Sequence, residues 1–328
     1  MTTQSRLFLA AAVLLAVGGA VLLLLRGAGS PPASRVFVSN YKDDTVSVVD
    51  TALDREIKVL PIGDSPFGIT VCRGAVPTVA VANSTARTVT LIDAVSLEIV
   101  GKVAAGKGPE FVACSADGAR LYVTSPYDLT VTVIDVAQRA PLGEPIKLAL
   151  KPGPIAVSPD GKRLYVVLRD AQGVVQAINT ETHAVEASAP VGKYPTDVAV
   201  SRDGSRVLAP SFDDSTITVI DAASFKVLGA YPAETGTGLL LHPDRPLAYS
   251  MAGMEDTITV LDYQAGKEVA AIECGEWPTY SAMTADGRFL YVVNEESDNL
   301  VKIETEANQA VTRIAVGNEP SDAVVVDY

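Results

Sequence analysis

Aromatic and carboxylate side chains recur beside a regularly spaced proline or glycine, and their types are the ones in this chain that could do chemistry. The residues directly before that proline or glycine are Ser65, Gly108, Lys151, Tyr194, Thr235, Trp277 and Glu319. Two residues after it stand Gly68, Phe111, Pro154, Asp197, Gly238, Tyr280 and Asp322. Rings combined with acids in a concave site suit a cation, an amine or a basic protein loop.

We therefore expect a binding site for a ligand or partner in this set of loops. Its candidate members are Trp277, Tyr280, Tyr194, Phe111, Glu110, Asp197, Asp322 and Lys151. Trp277 is the foremost candidate because it is the only tryptophan and lies in a loop. The alternative is that the rings fill gaps between structural units and the acids cap the starts of strands. Replacing Trp277 and Tyr280 by alanine is expected to abolish partner capture and to leave folding intact.

These positions recur because the chain beyond residue 34 is self-similar, with a period near 42 residues. In each unit a run of alternating aliphatic residues ends in an acid or amide, at Asp50, Asp93, Asp135, Asn179, Asp221, Asp262 and Glu304. Several short strands per unit at this spacing are typical of a β-propeller blade. Each unit should contain strand a after the proline, an Asp-Gly hairpin, strand b, a polar loop, strand c, a turn and strand d. Residues 35–328 are thus predicted to form an all-β, seven-bladed β-propeller with four-stranded antiparallel blades.

The two ends of the repeat region are incomplete in complementary ways. The first unit starts at strand b with "RVFVSN", whereas residues 319–328 contain the proline and strand a only. We expect Ala323–Val326 to pair with Val36–Ser39, so that the C-terminal strand completes the first blade. This pairing would leave no open sheet edge to template aggregation.

Several recurrent polar residues favour structural explanations. The acids that end strand c precede turns, in which an Asp side chain can accept backbone N–H bonds. His183 falls in a c–d loop and His242 ends a strand a two units later, so we expect neither a metal site nor a catalytic pair. The acidic b–c loops at 41–45, 212–215, 254–256 and 294–299 lack the spacing of a calcium-binding loop. No catalytic residue, metal or cofactor is predicted from these patterns.

The b strands "RVFVSN", "RLYVTS", "RLYVVL" and "FLYVVN", followed by V-x-V-[IVL]-D and G-x-x-P, resemble those of the YVTN-repeat β-propellers. The resemblance covers residues 34–328. It implies a surface-layer or periplasmic protein that binds or scaffolds, and it leaves single-stranded nucleic-acid binding as one alternative. Related propellers are lactonases, haem-binding domains or heavy subunits of quinoprotein amine dehydrogenases, so an enzyme or enzyme subunit is another alternative. A lactonase would have to use Glu110, Asp197 and Asp322, and a dehydrogenase subunit would need a cofactor-bearing partner.

Residues 7–25, "LFLAAAVLLAVGGAVLLLL", form one uninterrupted apolar run. As a helix rising about 1.5 Å per residue, it is long enough to cross the core of a bilayer. We expect residues 1–6 to be cytoplasmic, 7–25 to be a transmembrane anchor and 26–34 to be a linker to a periplasmic propeller. A cleaved signal peptide, which would release a secreted protein, is the alternative.

The charge and the cysteines narrow the expected partners. All 39 acidic residues follow the apolar run, and the whole chain has a formal net charge of −13. Such a field repels phosphate backbones and argues against nucleic-acid binding. Cys72, Cys114 and Cys274 show no metal or haem spacing and allow at most one disulfide, so we expect small buried thiols. The combined prediction is a membrane-anchored, non-enzymatic scaffold or accessory subunit of an envelope complex, which binds a protein partner or a small cationic ligand.

Overall fold

The computed structural model describes residues 34–169, 172–234 and 236–328. These residues form seven antiparallel sheets, each with the strand order a, b, c, d from the inside outwards. Each strand a contacts strand a of the next blade, and the strand a of the seventh blade contacts that of the first. The predicted all-β, seven-bladed propeller is therefore confirmed.

The described residues contain 29 strands and one 3₁₀ turn, Gly253–Glu255. Blades 1 to 3 contain β1 Arg35–Asn40, β2 Thr45–Asp50, β3 Arg55–Pro61, β4 Pro66–Arg73, β5 Pro77–Asn83, β6 Thr88–Asp93, β7 Glu98–Ala104, β8 Val112–Cys114, β9 Arg120–Ser125, β10 Thr130–Asp135, β11 Ala140–Pro141 and β12 Ile146–Lys147. Blades 4 and 5 contain β13 Pro152–Val157, β14 Arg163–Leu168, β15 Val174–Asn179, β16 Val185–Pro190, β17 Ala199–Val200, β18 Arg206–Ser211, β19 Thr216–Asp221 and β20 Val227–Pro232. Blades 6 and 7 contain β21 Leu239–Leu241, β22 Leu247–Ala252, β23 Thr257–Asp262, β24 Lys267–Glu273, β25 Pro278–Met283, β26 Phe289–Asn294, β27 Asn299–Glu304 and β28 Gln309–Ala315, and β29 Pro320–Val326 belongs to blade 1.

The hydrophobic core lies between neighbouring blades. Strands b and c are covered on both faces, so their aliphatic residues are almost wholly buried, whereas most residues of the outer strands are exposed or half-buried. Four b strands bury a tyrosine at their third position, namely Tyr122, Tyr165, Tyr249 and Tyr291. Each apolar cluster joins side chains of two adjacent blades, as the one around Tyr122 and Leu164 does between blades 3 and 4. Packing between blades therefore stabilises the ring.

The recurrent acids of strand c form turns, as predicted. The Asp50 carboxylate accepts hydrogen bonds from the backbone N–H groups of Ala52 at 2.8 Å and Leu53 at 3.0 Å. The same turn is formed by Asp93, Asp135, Asn179, Asp221 and Asp262. The glycines of the Asp-Gly hairpins have φ angles near +70°, a region that glycine enters without strain.

The C-terminal strand closes the ring. In β29, Val325 lies opposite Val36 and Ala323 lies opposite Val38, in an antiparallel pair with β1. The Ser34 hydroxyl also donates a 2.6 Å hydrogen bond to Asp327. The predicted completion of blade 1 by the end of the chain is confirmed.

Two blades depart from the regular pattern. The outer strand of blade 3 is split into β11 and β12, because Pro141 and Pro145 cannot donate to the ladder. The inner strand of blade 5 is reduced to β17, with Pro195 making only an isolated bridge to Ser211. The channel wall is therefore least regular at blade 5.

Cys72 on β4 and Cys114 on β8 form a disulfide, with Cα atoms 5.2 Å apart. The expectation of buried thiols is wrong for this pair and holds for Cys274, which is free and buried. The two disulfide cysteines are 42 residues apart, one repeat period, so they occupy equivalent positions on adjacent inner strands.

The predicted cytoplasmic segment 1–6, the anchor 7–25 and all but the last residue of the linker 26–34 lie outside the described residues. Within the described ranges, from Ser34 onwards, no helix is both long enough and apolar enough to span a bilayer.

Candidate functional site

The antiparallel blades place the d–a loops and the b–c turns on one side of the ring, which we call the top face. The inner strands surround the axial channel, and a cavity of about 160 Å³ lies within it. Side chains at the position two residues after the recurrent proline line this cavity, as Phe111, Pro154, Asp197, Tyr280 and Asp322 do. Because this position recurs once in each repeat, side chains of five blades meet at the cavity.

Glycine occupies the same position in blades 2 and 6 because a neighbouring chain approaches closely there. A Cβ atom on Gly68 would lie 2.5 Å from the Glu110 carbonyl oxygen, and one on Gly238 would lie 2.4 Å from that of Thr279. The Gly68 N–H in fact donates to the Glu110 carbonyl at 2.9 Å. Only five of the seven positions can therefore send a side chain towards the axis.

The two acids of the cavity each join their own blade to the next one. The Asp322 carboxylate accepts hydrogen bonds from the backbone N–H of Ala323 at 2.7 Å and of Ile69 at 3.0 Å. The Asp197 carboxylate accepts corresponding bonds from Val198 and Leu239, both at 2.7 Å. The acids thus do cap inner strands, as the alternative interpretation held, and they also face the cavity.

Their surroundings favour the neutral form of both acids. Burial raises the pKa of Asp197 to about 7, against the opposing effect of the backbone N–H groups and of Arg169. Burial raises the pKa of Asp322 to about 8, and the nearby Asp197 adds to this effect. Burial also raises the pKa of Tyr280 well above its usual range, with both acids contributing. Perturbed acids in a cleft are typical of functional sites.

An aromatic cluster forms part of the wall. The ring of Phe111 lies edge-on to Phe67, with centroids 5.4 Å apart, and the Tyr280 ring is 6.2 Å from both. Phe67 was not among the predicted site residues, although it directly follows the recurrent Pro66. The predicted members Phe111 and Tyr280 are therefore in contact with each other.

Arg169 is a second residue that the sequence analysis missed. Its guanidinium forms a 3.1 Å ion pair with Glu110 and lies 5.2 Å from the centroid of the Phe111 ring. Burial raises the pKa of Glu110, and Arg169 opposes that shift. Arg169 directly follows strand β14, the position that Tyr41 and Phe212 occupy in other blades, so aligning the b–c turns could have identified it.

The other predicted residues lie on the rim of the top face. Tyr194 is 62% exposed and meets the Phe212 ring at 6.3 Å. The Lys151 ammonium lies 6.0 Å from the centroid of the Tyr127 ring. Trp277 is half-buried, and its indole would be 3.4 Å from a Cβ on Gly253. The predicted set thus divides into a cavity group and a rim group.

The acidic b–c turns hold the adjacent d–a loops in place. The carboxylates of Asp44, Asp256 and Asp298 accept the backbone N–H of Ser65, Trp277 and Glu319 at 2.7 to 2.9 Å. Each of these three donors has a positive φ. Such a backbone favours glycine, so the hydrogen bonds stabilise a strained loop.

The described residues contain no group of three or more His, Cys, Asp or Glu side chains that could hold a metal ion. His183 lies in the turn after β15 and His242 follows β21, both on the face opposite the rim. His242 is 7% exposed, and both of its ring nitrogens have hydrogen-bond partners on the 244–245 segment. The two histidines thus lie in turns of two different blades, the fourth and the sixth.

Comparison with known proteins identifies one matching family model and a similar protein. A family model described as the cytochrome D1 heme domain matches residues 131–328. The uncharacterized protein YncE of Salmonella typhimurium (strain LT2) is 24% identical over 297 residues, which cover 84% of this chain and 80% of that protein.

Three solved structures share the fold. Hydrazine synthase of Kuenenia stuttgartiensis has a TM-score of 0.68 and 22% identity, covering 78% of this chain and 88% of that one. Dihydro-heme d1 dehydrogenase NirN in complex with DHE has a TM-score of 0.69 and 19% identity, with coverages of 90% and 76%. A functionally unknown protein from Desulfotomaculum acetoxidans DSM 771 has a TM-score of 0.76 and 12% identity, with coverages of 89% and 98%. Because the family model spans more than half of the sequence, the chain belongs to the cytochrome D1 heme domain family.

Proposed function

We propose that the chain is a binding propeller of the cell envelope, whose top face captures a partner around the mouth of the channel. The exposed apolar side chains of that face carry this proposal: Tyr127 is 69%, Met254 66% and Tyr194 62% exposed. Aromatic and methionine side chains are enriched at protein interfaces. Because acidic turns surround them, a partner with a basic contact surface fits best.

The chain acts beside an enzyme rather than as a complete one. Two observations support this role. The family model is described as a heme domain, and two structures of the same fold are named as a synthase and a dehydrogenase. A lactonase site is disfavoured, because Glu110 is paired with Arg169 and only Asp197 and Asp322 remain to act together. The chain is therefore proposed as the binding or accessory subunit of an envelope redox complex.

The haem named in the family description does not fit the channel cavity. Haem iron is held in proteins by His, Cys thiolate, Met or Tyr. Both histidines lie on the opposite face, and burial raises the pKa of Cys274 to about 11, which disfavours its thiolate. The pKa of Tyr280 is also raised, and the channel cavity of about 160 Å³ is smaller than the ~300–1,000 Å³ of ordinary ligand pockets. We assign no haem-dependent step to these residues.

The proposed location is the periplasmic side of the cytoplasmic membrane, with residues 7–25 as the anchor. The Cys72–Cys114 disulfide supports this location, because such bonds persist in oxidising compartments. Removal of the segment by a signal peptidase would give a secreted form. Within the propellers, we propose that the chain belongs to the YVTN-repeat group, which the b-strand motifs support.

Co-purification tests the proposal. The full-length chain, extracted in detergent, should retain a partner that the variants Trp277→Ala and Tyr194→Ala lose. The matched control is Val311→Ala, which removes a 55% exposed apolar side chain from the outer strand of blade 7. Equal partner recovery with all three variants would exclude the rim as the docking surface. A haem absorption band in the purified chain would instead favour haem binding.

A further inference from the structure

The cavity beneath the rim contains polar groups with unused hydrogen-bonding capacity. An ionised carboxylate offers about four lone-pair sites. In Asp197 and Asp322, each carboxylate oxygen accepts one hydrogen bond, from the backbone N–H groups already described, and so keeps a free lone-pair site. The Tyr280 hydroxyl, which borders the same cavity, has no hydrogen-bond partner among the described residues. Three oxygen-bearing side chains from blades 1, 5 and 7 can therefore accept further hydrogen bonds.

The cavity wall selects the sign of the ligand's charge. No lysine, arginine or histidine lines it among the described residues, so an anion would meet two acids and no cation in the wall. Arg169 lies outside the wall and is already paired with Glu110. A buried anion without such a partner is strongly disfavoured. A cation would meet carboxylates and the rings of Phe111 and Tyr280, whose faces attract positive charge. The Phe111 ring already attracts the Arg169 guanidinium, whose carbon is 5.2 Å from the ring centroid.

The size of the cavity limits the cation. A volume of about 160 Å³ excludes drug-sized molecules, for which pockets of ~300–1,000 Å³ are usual. Two carboxylates without a third His, Cys, Asp or Glu form a poor metal site in the described residues. A primary ammonium has three N–H donors, which match two carboxylates and one phenol oxygen, and its alkyl group can contact the rings.

We propose that the channel cavity binds a small primary ammonium ion, of the size of methylammonium, through Asp197, Asp322 and Tyr280. This inference rests on the proposed function, because it names a ligand for the channel whose mouth is the proposed docking surface. The ligand would lie below the rim, so a docked partner would cover it. Rim and cavity variants therefore test different claims.

Binding is expected to release protons. The charged groups around the site are Glu110 before β8, Lys151 before β13, Arg169 after β14, and the two acids themselves. The pKa values of about 7 and about 8 leave both acids partly protonated near neutral pH. An ammonium binds the ionised forms, so affinity should rise with pH, by up to about tenfold per pH unit while one proton leaves. Methylammonium stays charged throughout, like a lysine side chain with its pKa of about 10.4.

Calorimetric titration of the full-length chain with methylammonium chloride tests the inference. The buffer is phosphate, because amine buffers would compete. Tightening of binding from about pH 6 to about pH 8, with proton release, is expected. Acetate and acetamide, which have a similar size, should not bind. Absence of methylammonium binding at every pH would overturn the inference.

Charge variants give effects of opposite sign. Asp322→Asn and Tyr280→Phe should weaken methylammonium binding at least tenfold and about threefold respectively, with unchanged circular dichroism. Arg169→Gln removes a competing cation and should strengthen binding above about pH 8, where protons no longer compete for the two acids. Asp244→Asn is the matched control, because that carboxylate is 64% exposed on the opposite face. Two results would reject a cationic ligand. One is weaker methylammonium binding by Arg169→Gln at that pH, and the other is binding of acetate that becomes stronger in Asp322→Asn. Rim variants that still lose the partner would then leave the proposed function standing.

Discussion

The carboxylate of Asp322 accepts a hydrogen bond from the backbone N–H of Ile69 at 3.0 Å, and so joins the last strand of the chain to the second blade. Asp197 makes the equivalent contact with Leu239 between blades 5 and 6. Each acid is held at the channel wall by backbone donors of two adjacent inner strands. The same residues that form the candidate site thus also connect blades of the ring.

The burial of Asp322 predicts a stability that decreases with pH, although its backbone hydrogen bonds oppose this effect. The pKa of Asp322 in the folded protein is about 8, above the ordinary Asp value of about 3.9, so the folded state binds this proton more tightly. The contribution of this proton to the free energy of unfolding is fully present below about pH 4. It declines as pH rises to about 8, by at most about 1.4 kcal/mol per pH unit. Asp322→Asn has no such proton. Urea unfolding at about pH 5 and about pH 8 should show a smaller decline for the variant.

Other groups titrate in both proteins, so the difference between the two isolates Asp322. Burial raises the pKa of Asp197 to about 7, which gives a decline of the same sign in both. The pKa of Asp203 is lowered to about 2 by Ser201 and Ser205, so this acid stays ionised throughout that pH window. Burial lowers the pKa of His242, which gives a stability change of opposite sign near pH 6.5, but both proteins share it. An equal pH dependence in the two proteins would contradict the burial of Asp322.

The disulfide predicts a large contribution to stability. Cys72 and Cys114 close a loop spanning 42 residues, for which the chain-entropy relation gives about 4 kcal/mol. The double variant Cys72→Ser/Cys114→Ser should lose roughly that much free energy of unfolding in urea. In the unfolded, unreduced protein a maleimide should label Cys274 only, and reduction should expose all three thiols. Labelling of three thiols before reduction would show that the bond is not formed.

Most of the fold follows from local patterns. The recurrent proline, the Asp-Gly pairs and the strand-c acids set the phase of each blade, because their turn conformations depend on neighbouring residues only. The pairing of β29 with β1 could be inferred because each end lacked what the other supplied. The disulfide could also have been predicted, since a spacing of one repeat puts Cys72 and Cys114 side by side on adjacent inner strands.

The candidate site was only partly predictable. Position in the repeat correctly placed Phe111, Tyr280 and the two acids along the channel, because equivalent residues of successive blades point the same way. Trp277 behaves differently, since its positive φ and its bond to Asp256 arise from contact between two loops. Arg169 reaches Glu110 of the preceding blade, 59 residues away, and no local pattern reports such a contact.

Removal of the last strand should unfold the ring. Deletion of residues 319–328 leaves β1 without its inner partner and exposes Val36 and Val38, which are 0% exposed in the intact blade. We expect a loss of cooperative thermal unfolding in this deletion. Addition of a peptide of residues 319–328 should restore part of the transition. Normal melting of the ten-residue deletion would contradict ring closure by β29.

An ion pair beside the closure predicts a further effect on stability. The Lys302 ammonium on β27 of blade 7 lies 2.7 Å from the Asp54 carboxylate of blade 1 and 4.5 Å from the centroid of the Phe289 ring. The lysine side chain is only 9% exposed, so Asp54→Ala leaves a buried charge without its carboxylate.

Breaking buried pairs typically costs about 3–5 kcal/mol, and because Asp54 is 32% exposed we expect about 2 kcal/mol in urea unfolding. Lys107→Ala, which breaks the pair with Asp128 in which the lysine is 60% exposed, should cost less than about 0.5 kcal/mol. Asp54→Asn, which keeps an oxygen acceptor and tolerates the positive φ at this turn, should fall between the two. Equal losses in Asp54→Ala and Lys107→Ala would mean that solvent reaches Lys302, and that closure of the ring relies on β29 alone.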